Sequence, residues 1–391
     1  MARAARKTSR SSAREAALAT AAAVSVPARC DVLVIGGGAS GLAAAISAAE
    51  AGAGVIVLER ALECGRTILA TGNGRCNFSN ARLSWDRYND PAFVEAVCGE
   101  HFGADVLEFF EACGLAWAEE NGRLYPLSRQ ASSVREVLLA RARRGGALMA
   151  SAREVTGIER EGTGWRVTYE GASSGLVLAR SVVLAAGGGE RVLSATGLAC
   201  APFEPVLCSL ACAAPAGISL DALDGRRAHV LARLLRDGSE VARETGEALF
   251  RPYGVSGIAI FDLSRMARRG DVISLDLTCG TDPEHLRRLA KRAGGCSGIL
   301  DPVIASALGD SLDLARDLRL VVSGPADPDR AQVTRGGLLT AQFDPATLEA
   351  HALAGLFACG EVLDVDGACG GFNLAWAWKS GLVAGRAAAR G

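Results

Sequence analysis

The 391-residue chain lacks the sequence signals of several common protein classes. Its twelve cysteines are scattered and none forms a C-x-x-C pair, which argues against a zinc ribbon and a thioredoxin-like dithiol. Forty-two basic residues nearly balance forty-three acidic ones, so the overall charge gives no support for a polyanionic partner. The most apolar window, APFEPVLCSLACAAPAGISL, carries three prolines and a glutamate, which a membrane-spanning helix rarely tolerates.

These absences predict a cytoplasmic protein with no metal site and no membrane or nucleic-acid partner. Scattered cysteines in a chain of this length are typical of reduced, packed thiols. The four histidines (His101, His229, His285 and His351) lie outside the motifs described below, so we expect them to be structural or surface residues. No general acid or base is identifiable, and the sequence does not fix the oligomeric state.

The first 29 residues differ in composition from the rest of the chain. They contain six basic residues against one acid, Glu15, and are otherwise mostly alanine and serine. We expect a disordered basic extension over residues 1–29. An arginine-rich targeting segment is the alternative.

Residues 30–60 have the pattern of one βαβ unit. DVLVIG is a continuous apolar strand of the buried parallel type, and GGGASG is a glycine turn. LAAAISAAEAG has helical character, and GVIVLE is a second buried strand. This strand–turn–helix–strand order is that of a nucleotide-binding unit.

Within this unit, Gly36, Gly38 and Gly41 have the spacing G-x-G-x-x-G. The three glycines serve a tight turn, a close approach of backbone to a pyrophosphate, and close packing of helix on strand. The anion would lie at the helix N-terminus, where Ser40 adds a hydroxyl donor. Glu59 ends the second strand, 23 residues after Gly36, as expected for an acid that binds a ribose 2′-hydroxyl of FAD or NAD.

Later segments favour FAD over NAD. EVTGIERE, GWRVTYEG and GLVLARSVVLAAGGG read as three short strands, the meander that accompanies FAD folds of this kind. Near the C-terminus, GGFN opens a helix whose N-terminus would stabilise negative charge on a flavin ring. Its tryptophans, Trp376 and Trp378, are expected to pack. No second G-x-G-x-x-G follows the meander, so NADH or NADPH is expected only as a transient substrate.

The remaining segments predict mixed structure. Residues 91–118 and 131–144 have helical spacing. HVLARLLRDGSEVARE, GDVISLDLT and LRLVVSG suggest strands, whereas DPEHLRRLAKRA and DPVIASALG suggest short helices with an early proline.

Five further motifs together resemble one known family. They are GRTILATGNGRCNFSN, RLYPLSRQASSV, TGEALFRPYGVSGIAIFDLSR, AQVTRGGL and GEVLDVDGACGGFNLAWAWKSG. In this order they resemble the BaiN/YhiN-type NAD(P)/FAD-dependent oxidoreductases, also called aminoacetone oxidase-like flavoproteins. The resemblance covers residues 30–391. It departs from the family pattern at Thr67, where a lysine is usual, and in a shortened segment between 189 and 205.

The resemblance implies an α/β fold of the two-dinucleotide-binding type. A Rossmann-like parallel sheet plus a three-strand meander would form the FAD domain, interrupted by a β-barrel and helical second domain. The implied boundaries are 30–189 and 331–391 for the FAD domain and 190–330 for an inserted substrate or cap domain.

The resemblance also implies that residues 65–77, the signature loop, run along the flavin, where small and polar residues admit backbone N–H groups. Arg75, Cys76 and Tyr253 are candidates for a catalytic role, although packing is favoured for Cys76 because no partner cysteine lies near it in sequence. Tyr125 is a further substrate-side candidate. Together with the nucleotide motif, the expected cofactor-binding residues are Gly36, Gly38, Ala39, Ser40, Gly41, Glu59, Arg60, Gly65, Arg66, Thr71, Gly72, Gly74, Arg75, Cys76, Asn77, Val155, Ala185, Ala186, Gly187, Gly360, Glu361, Asp364, Gly370, Gly371, Phe372, Asn373 and Leu374.

The implied function is an FAD-dependent oxidoreductase that moves a hydride through flavin N5. The hydride would pass between NAD(P)H or a small organic substrate and an acceptor. A flavin-dependent amine oxidase that uses oxygen and a non-enzymatic FAD-binding or regulatory protein are the alternatives. A disulfide reductase would need a redox dithiol, and an RNA modifier would need basic patches that the near-neutral charge does not suggest.

Overall fold

The computed structural model describes residues 14–188 and 190–391. It contains eighteen strands within these described residues, which we number in chain order. They are β1 Arg29–Ile35, β2 Val55–Leu58, β3 Ser79–Asn80, β4 Trp117–Glu120, β5 Arg123–Pro126, β6 Leu148–Ala150, β7 Arg153–Glu161, β8 Gly164–Gly171, β9 Gly175–Leu184, β10 Cys200–Val206, β11 Leu210–Ala213, β12 Arg227–Arg236, β13 Ser239–Arg251, β14 Gly254–Ser256, β15 Val272–Asp276, β16 Leu318–Pro325, β17 Val333–Leu338 and β18 Leu356–Ala358.

Eleven α-helices accompany these strands in the same part of the chain. They are α1 over residues 14–22, then α2 Ala39–Glu50, α3 Pro91–Cys98, α4 Phe102–Ala112, α5 Ala131–Arg144, α6 Glu190–Ser194, α7 Ile258–Ser264, α8 Pro283–Ala293, α9 Pro302–Ala307, α10 Leu312–Arg316 and α11 Phe372–Arg390. The helix α8 shows why local sequence sets its bounds. The Asp282 side chain accepts from the His285 N–H at 2.7 Å, Pro283 occupies the first turn, and Gly294 ends the helix in the left-handed conformation.

The chain forms two compact units. The first, here the sheet unit, runs to Phe203 and resumes at Arg335, and the second, here the barrel unit, is Glu204–Thr334. The assignment of cofactor binding to 30–189 and 331–391, and of substrate capping to 190–330, stays a prediction.

The sheet unit is built on a seven-stranded sheet in the order β6-β2-β1-β9-β8-β7, with β18 also paired to β9. The pairs β6–β2, β2–β1, β1–β9 and β9–β18 are parallel. The strands β7, β8 and β9 form the predicted antiparallel meander. The β2 and β18 strands are apolar and buried throughout, and β1 is apolar and buried from Val32 to Ile35, because helices cover such sheets on both faces. The predicted βαβ unit and meander are confirmed.

The barrel unit contains a closed barrel in the order β11-β14-β13-β12-β15-β16. Its inward side chains form a separate apolar core with Leu234, Phe250, Leu275 and Leu320 among its fully buried members. The predicted barrel with helical segments is therefore confirmed.

The helices α2 and α11 pack backbone to backbone at two glycines of α11. A Cβ on Gly381 would lie 2.4 Å from the Ser40 carbonyl oxygen, and one on Gly385 would lie 2.2 Å from the Ala44 carbonyl oxygen. Such distances are below van der Waals contact, so only glycine fits at either position. The two glycines form a G-x-x-x-G pair that lets the C-terminal helix α11 lie directly against α2. The sequence interpretation recognised the helix but missed this pair.

Two predictions about helices and order need correction. Residues 91–118 are not one helical stretch, because Gly99 breaks the backbone at φ 66° after α3 and strand β4 begins at Trp117. The expected disordered extension over 1–29 is wrong for residues 14–22, which are helical. Residues 1–13 of that prediction lie outside the described residues.

A buried arginine holds the end of α1 and the segment that follows it. The Arg153 side chain is fully buried and donates to the Ala21 and Val24 carbonyl oxygens at 3.0 and 2.7 Å. It also donates to the Ser151 carbonyl and the Ser173 hydroxyl at 2.9 and 3.0 Å. A buried guanidinium needs acceptors for its N–H groups, and two of them come from the N-terminal segment. Composition could not reveal this long-range contact.

Replacing Gly385 by alanine tests the close packing of α2 and α11. Because the added methyl group meets the Ala44 backbone, the two helices must separate, and we expect the free energy of unfolding to fall by about 2 kcal/mol. Urea denaturation of the apoprotein measures this change. The matched control is Gly103→Ala in α4, where nothing lies within 4 Å of the added Cβ and alanine favours a helix by up to about 1 kcal/mol. Equal stabilities of the two variants would contradict the packing account.

Candidate cofactor site

The glycine turn between β1 and α2 is held by backbone contacts that exclude side chains. Gly36 has φ 103°, and a Cβ there would lie 2.4 Å from the Ala185 carbonyl oxygen. A Cβ on Gly41 would lie 1.8 Å from the Gly36 carbonyl oxygen. The first and third glycines of the motif are therefore required by the protein's own packing, which joins the ends of β1 and β9 to the start of α2.

Gly38, the second glycine, is different because the protein leaves its side-chain position open. The nearest atom to a Cβ there is the Thr67 hydroxyl oxygen at 3.5 Å, and its φ of −78° suits any residue. Packing within the chain does not demand a glycine at this point. The open cradle fits a ligand that approaches the backbone, as the pyrophosphate of FAD would.

The N-terminus of α2 offers uncapped N–H groups beside this cradle. No side chain caps the helix at Gly38, and its first turn contains no acidic residue. The first N–H groups of a helix have no intrahelical acceptor, and the helix dipole favours an anion there. The twelve-residue α2 helix thus fits a diphosphate through its backbone and its field.

Glu59 ties the nucleotide turn to the end of β2. Its two carboxylate oxygens accept hydrogen bonds from the Gly37 and Ala61 N–H groups, each at 2.6 Å. A carboxylate oxygen has a second lone pair, so Glu59 can also accept from a ribose hydroxyl. Glu59, which was predicted to bind the ribose, therefore also holds the backbone of the glycine turn, and its spacing in the sequence did not reveal this role.

The signature loop contains a run of unusual backbone conformations. Gly72, Asn73, Gly74 and Cys76 all have positive φ, between 54° and 83°. Two of them are not glycine, and such residues carry backbone strain. The loop is closed by hydrogen bonds from the Cys76 N–H to the Thr71 carbonyl at 3.0 Å and from the Arg75 N–H to the Gly72 carbonyl at 3.2 Å. This fold explains why the segment is polar and contributes few core side chains.

Two buried polar side-chain atoms, at the end of the signature loop and the start of β3, have no hydrogen-bond partner in the described chain. They are the Asn77 Oδ1 and the Ser79 Oγ. The Asn77 Oδ1 lies 3.0 Å from the Cβ position of Gly371, which begins α11 at φ 99° without a side-chain cap. Buried polar atoms are rarely left unpaired. These atoms, beside a second uncapped helix N-terminus, fit the polar edge of a flavin ring.

The loop that follows β18 lies close to the start of α2 and to the loop that follows β9. A Cβ on Gly360 would meet the Ser40 hydroxyl at 2.4 Å, and one on Gly187 would lie 3.7 Å from the Glu361 carboxylate. The predicted loops after β1, β9 and β18 therefore converge at the carboxyl ends of three parallel strands, where ligands of such sheets bind.

Other predicted residues hold the loops in shape. Asn373 accepts from the Gly367 N–H and donates to the Gly367 carbonyl, both at 2.7 Å. Asp364 accepts from the Gly336 N–H at 3.2 Å, and its pKa is raised by burial and further by the nearby Asp366. Trp376 and Trp378 are buried, as expected, and each donates its indole N–H to a backbone carbonyl, of Gly360 at 3.2 Å and Phe78 at 2.9 Å.

The remaining predicted residues differ in exposure and place. Arg60 and Arg66 are exposed, whereas Phe372 is buried and Leu374 half-buried. Val155 is buried in β7, and Tyr253 follows β13 in the barrel unit with 41% of its surface exposed. Roles for these residues in cofactor binding or catalysis stay predictions.

Cys76 is enclosed by the protein. It is fully buried, and burial raises the pKa of its thiol to about 11 against the weaker opposing effect of Thr71. At neutral pH it is therefore a neutral thiol, which is a poor nucleophile. Among the described residues, no group of three or more histidine, cysteine or acidic side chains is placed to hold a metal ion. No helix in that part of the chain is both long enough and apolar enough to cross a bilayer.

The parallel sheet, the meander and the converging glycine loops define a flavoprotein of the Rossmann-like FAD-binding class. The family described as HI0933-like protein Rossmann domain matches residues 30–387. The chain belongs to this family of FAD-binding oxidoreductases, as the motifs had indicated.

Two kinds of curated relative are similar over nearly the whole chain. The 3-dehydro-bile acid delta(4,6)-reductase of Clostridium scindens is 33% identical and covers 91% of this chain and 98% of its own. The ribosomal RNA dihydrouridine synthase of Escherichia coli is 27% identical and covers 90% and 96%, respectively.

Solved structures share the fold at low sequence identity. A flavocytochrome c3 fumarate reductase aligns with a TM-score of 0.50 and 16% identity over 96% of this chain and 81% of its own. The 3-ketosteroid-delta4-(5alpha)-dehydrogenase of Rhodococcus jostii has the same TM-score and identity over 94% and 98%. At such identities the likeness is one of fold.

Two glycine substitutions distinguish a position left open for the cofactor from one that is closed by packing within the protein. Gly38→Ala should leave the stability of the apoprotein unchanged within about 0.5 kcal/mol, because its Cβ meets only Thr67, yet weaken FAD binding at least about tenfold. Gly41→Ala should destabilise the apoprotein itself by about 2 kcal/mol or more. Urea denaturation and titration with FAD measure the two effects. Unchanged FAD affinity in Gly38→Ala would show that the cradle does not face the cofactor.

Replacing Cys76 by serine tests whether its thiol takes part in redox chemistry. Because the thiol stays protonated up to about pH 11, the rate of flavin reduction should show no step near the ordinary thiol pKa of about 8.5. Cys76→Ser should keep that rate within about threefold of the parent value. Stopped-flow measurement of the rate of flavin reduction between neutral pH and pH 9 tests both expectations. A loss of a hundredfold with flavin still bound would instead make Cys76 catalytic.

Proposed function

We propose that this protein is a flavin-dependent reductase that uses NADH or NADPH to reduce an activated carbon–carbon double bond in a small organic molecule. The observation that carries the proposal is the similarity to a delta(4,6)-reductase over 91% of this chain and 98% of that relative. Its name and that of the dihydrouridine synthase both denote hydrogen added to an unsaturated ring. Reduction of a double bond is the chemistry common to the two.

The residues of the sheet unit would bind and orient the cofactor. When bound, FAD supplies a carrier that accepts a hydride and passes it on. The N-terminus of α2 and the open Gly38 position would hold the diphosphate, and Glu59 the ribose. The Asn77 Oδ1 and the N-terminus of α11 would meet polar edges of the ring. Each contact uses an atom that the protein's own folding leaves available.

Oxidation of an amine by oxygen is a less supported alternative. It would require a site for a neutral amine and an oxidant, and neither relative's name describes it. A silent FAD-binding protein is the other alternative, and binding of flavin without turnover would identify it.

Reduction of a uridine in ribosomal RNA is the second candidate function. It is favoured by the 27% identical synthases of Escherichia coli and Haemophilus influenzae. The α8 helix adds physical support, because it exposes four cations (Arg287, Arg288, Lys291 and Arg292), with one acid, Glu284, in its first turn. A cationic face of this kind suits a phosphate backbone. We favour the small molecule because the closer identity is to the bile acid reductase and the net charge is −1.

Anaerobic reduction followed by an acceptor test distinguishes these functions. The reconstituted holoprotein should lose its oxidised-flavin absorbance on addition of NADH or NADPH, and a 3-oxo-4-ene steroid acid should restore it. The expected stoichiometry is one double bond reduced per flavin reoxidised, read by mass spectrometry of the product. Unmodified ribosomal RNA is the parallel acceptor.

Each outcome selects one function. Reoxidation by the RNA alone, with dihydrouridine formed, would replace the proposal by the second candidate. If neither NADH nor NADPH reduces the bound flavin, the proposal of a nicotinamide-linked reductase is overturned. As a control, Gly103→Ala lies outside the site and should behave as the parent protein does.

A further inference from the structure

Two arginine side chains stack on one tyrosine beside the signature loop. The Arg75 guanidinium carbon lies 4.7 Å from the centroid of the Tyr125 ring, and that of Arg129 lies 5.0 Å from it. Tyr125 is 3% exposed and lies on β5. We call Arg75 and Arg129, which share the Tyr125 ring, the arginine pair. Stacking on one ring brings two positive charges together, and a nearby anion relieves their mutual repulsion.

The chain provides one anion for the arginine pair, and the fit is poor. The Glu120 carboxylate lies 3.0 Å from the Arg129 Nη1 and 3.7 Å from the Arg75 Nη1. The second distance is too long for a hydrogen bond. The first is short, yet the Arg129 Nη1 is buried and makes no hydrogen bond within the described chain, so the two groups are misaligned. Two guanidiniums with ten N–H donors between them therefore share one imperfectly placed carboxylate.

The backbone at Arg129 is strained. Its φ is 56°, in the left-handed region that asparagine and glycine accept and a long side chain does not favour. Strain of this kind persists where the surrounding structure imposes it, and it clusters at ligand sites. The turn is fixed by the Arg129 N–H, which donates to the Pro126 carbonyl at 2.8 Å.

The arginine pair adjoins the cofactor loop. A Cβ on Gly72 would lie 3.8 Å from the Tyr125 ring, and Arg75 itself belongs to the signature loop. The β4–β5 hairpin that carries Glu120 and Tyr125 also pairs with β3, which directly follows that loop. A group bound by the pair would therefore be held near the loop that carries Asn77.

We propose that Arg75 and Arg129 bind the carboxylate of the substrate, and that Glu120 occupies their place until the substrate displaces it. The inference rests on the proposed function and narrows its substrate to small organic acids. A carboxylate matches the planar fork of a guanidinium, and the chain's own occupant is a carboxylate. All three charged side chains are partly exposed, at 35 to 46%, so an incoming acid can reach them.

The substitution Arg129→Asn separates a binding role from a structural one. Asparagine tolerates the left-handed backbone, so the variant should unfold at the same temperature as the parent protein or a higher one. Its affinity for a carboxylate ligand should nevertheless fall about tenfold, since a charge-assisted hydrogen bond is lost. Glu120→Gln is the complementary variant, and it should bind the same ligand more tightly than the parent because the internal competitor is gone.

The probes are a 3-oxo-4-ene steroid with a side-chain carboxylate and the matching neutral carboxamide. Equilibrium dialysis with oxidised holoprotein should show about tenfold tighter binding of the acid. The Arg129→Asn variant should bind both alike. Equal binding of the two ligands by the parent protein, binding of neither, or an equal loss of both in Arg129→Asn would each overturn the inference.

Turnover of the same two ligands tests the proposed function separately. If the carboxamide reoxidises reduced flavin as well as the acid does at saturation and binds equally, the reductase stands and the inference fails. If the acid binds preferentially but neither ligand reoxidises the flavin, the carboxylate site stands and the proposed reduction fails.

Discussion

Backbone meets backbone without an intervening side chain where the nucleotide turn, the meander and the C-terminal helix come together. A Cβ on Gly36, Gly41 or Gly385 would lie 2.4, 1.8 or 2.2 Å, respectively, from a backbone carbonyl oxygen. The turn after β1 can therefore lie against the end of β9, and α11 can lie against α2. At the uncapped N-terminus of α11, a Cβ on Gly371 would likewise lie 2.3 Å from the Ser79 carbonyl oxygen. The cofactor site depends on these close approaches because its donors are backbone groups held in place by them.

The sequence predicted those parts of the fold that local patterns determine. Continuous apolar strands around a glycine turn predict β1, α2 and β2, and an aspartate cap followed by proline predicts α8. Other features depend on contacts distant in sequence. The order of α1 depends in part on Arg153, more than 120 residues away, and the break after α3 depends on one glycine inside an otherwise helical pattern. The hydrophobic periodicity of the sequence predicts neither the order of α1 nor the break after α3.

The same distinction applies to the candidate site. Gly36, Gly41 and Glu59 were identifiable because their spacing reports a known geometry. Three other features are visible only in the folded structure, because they depend on contacts between distant residues. They are the open position at Gly38, the hydrogen bonds of Glu59 to the backbone and the unpartnered Asn77 Oδ1. The arginine pair joins Arg75 and Arg129, 54 positions apart, through a shared ring. The near-zero net charge of the whole chain does not report such a local pair of cations, which lies beside Glu120 of the β4–β5 hairpin.

We infer that the site is built for a dinucleotide, with separate places for the diphosphate, the ribose and the flavin ring. Titration of the apoprotein with FAD and with FMN, followed by flavin fluorescence, distinguishes such a site from one for a mononucleotide. We expect one FAD per chain and an affinity for FMN weaker by at least about a hundredfold, because FMN lacks the adenosine and the second phosphate. Equal affinity for the two flavins, or no binding of FAD, would contradict it.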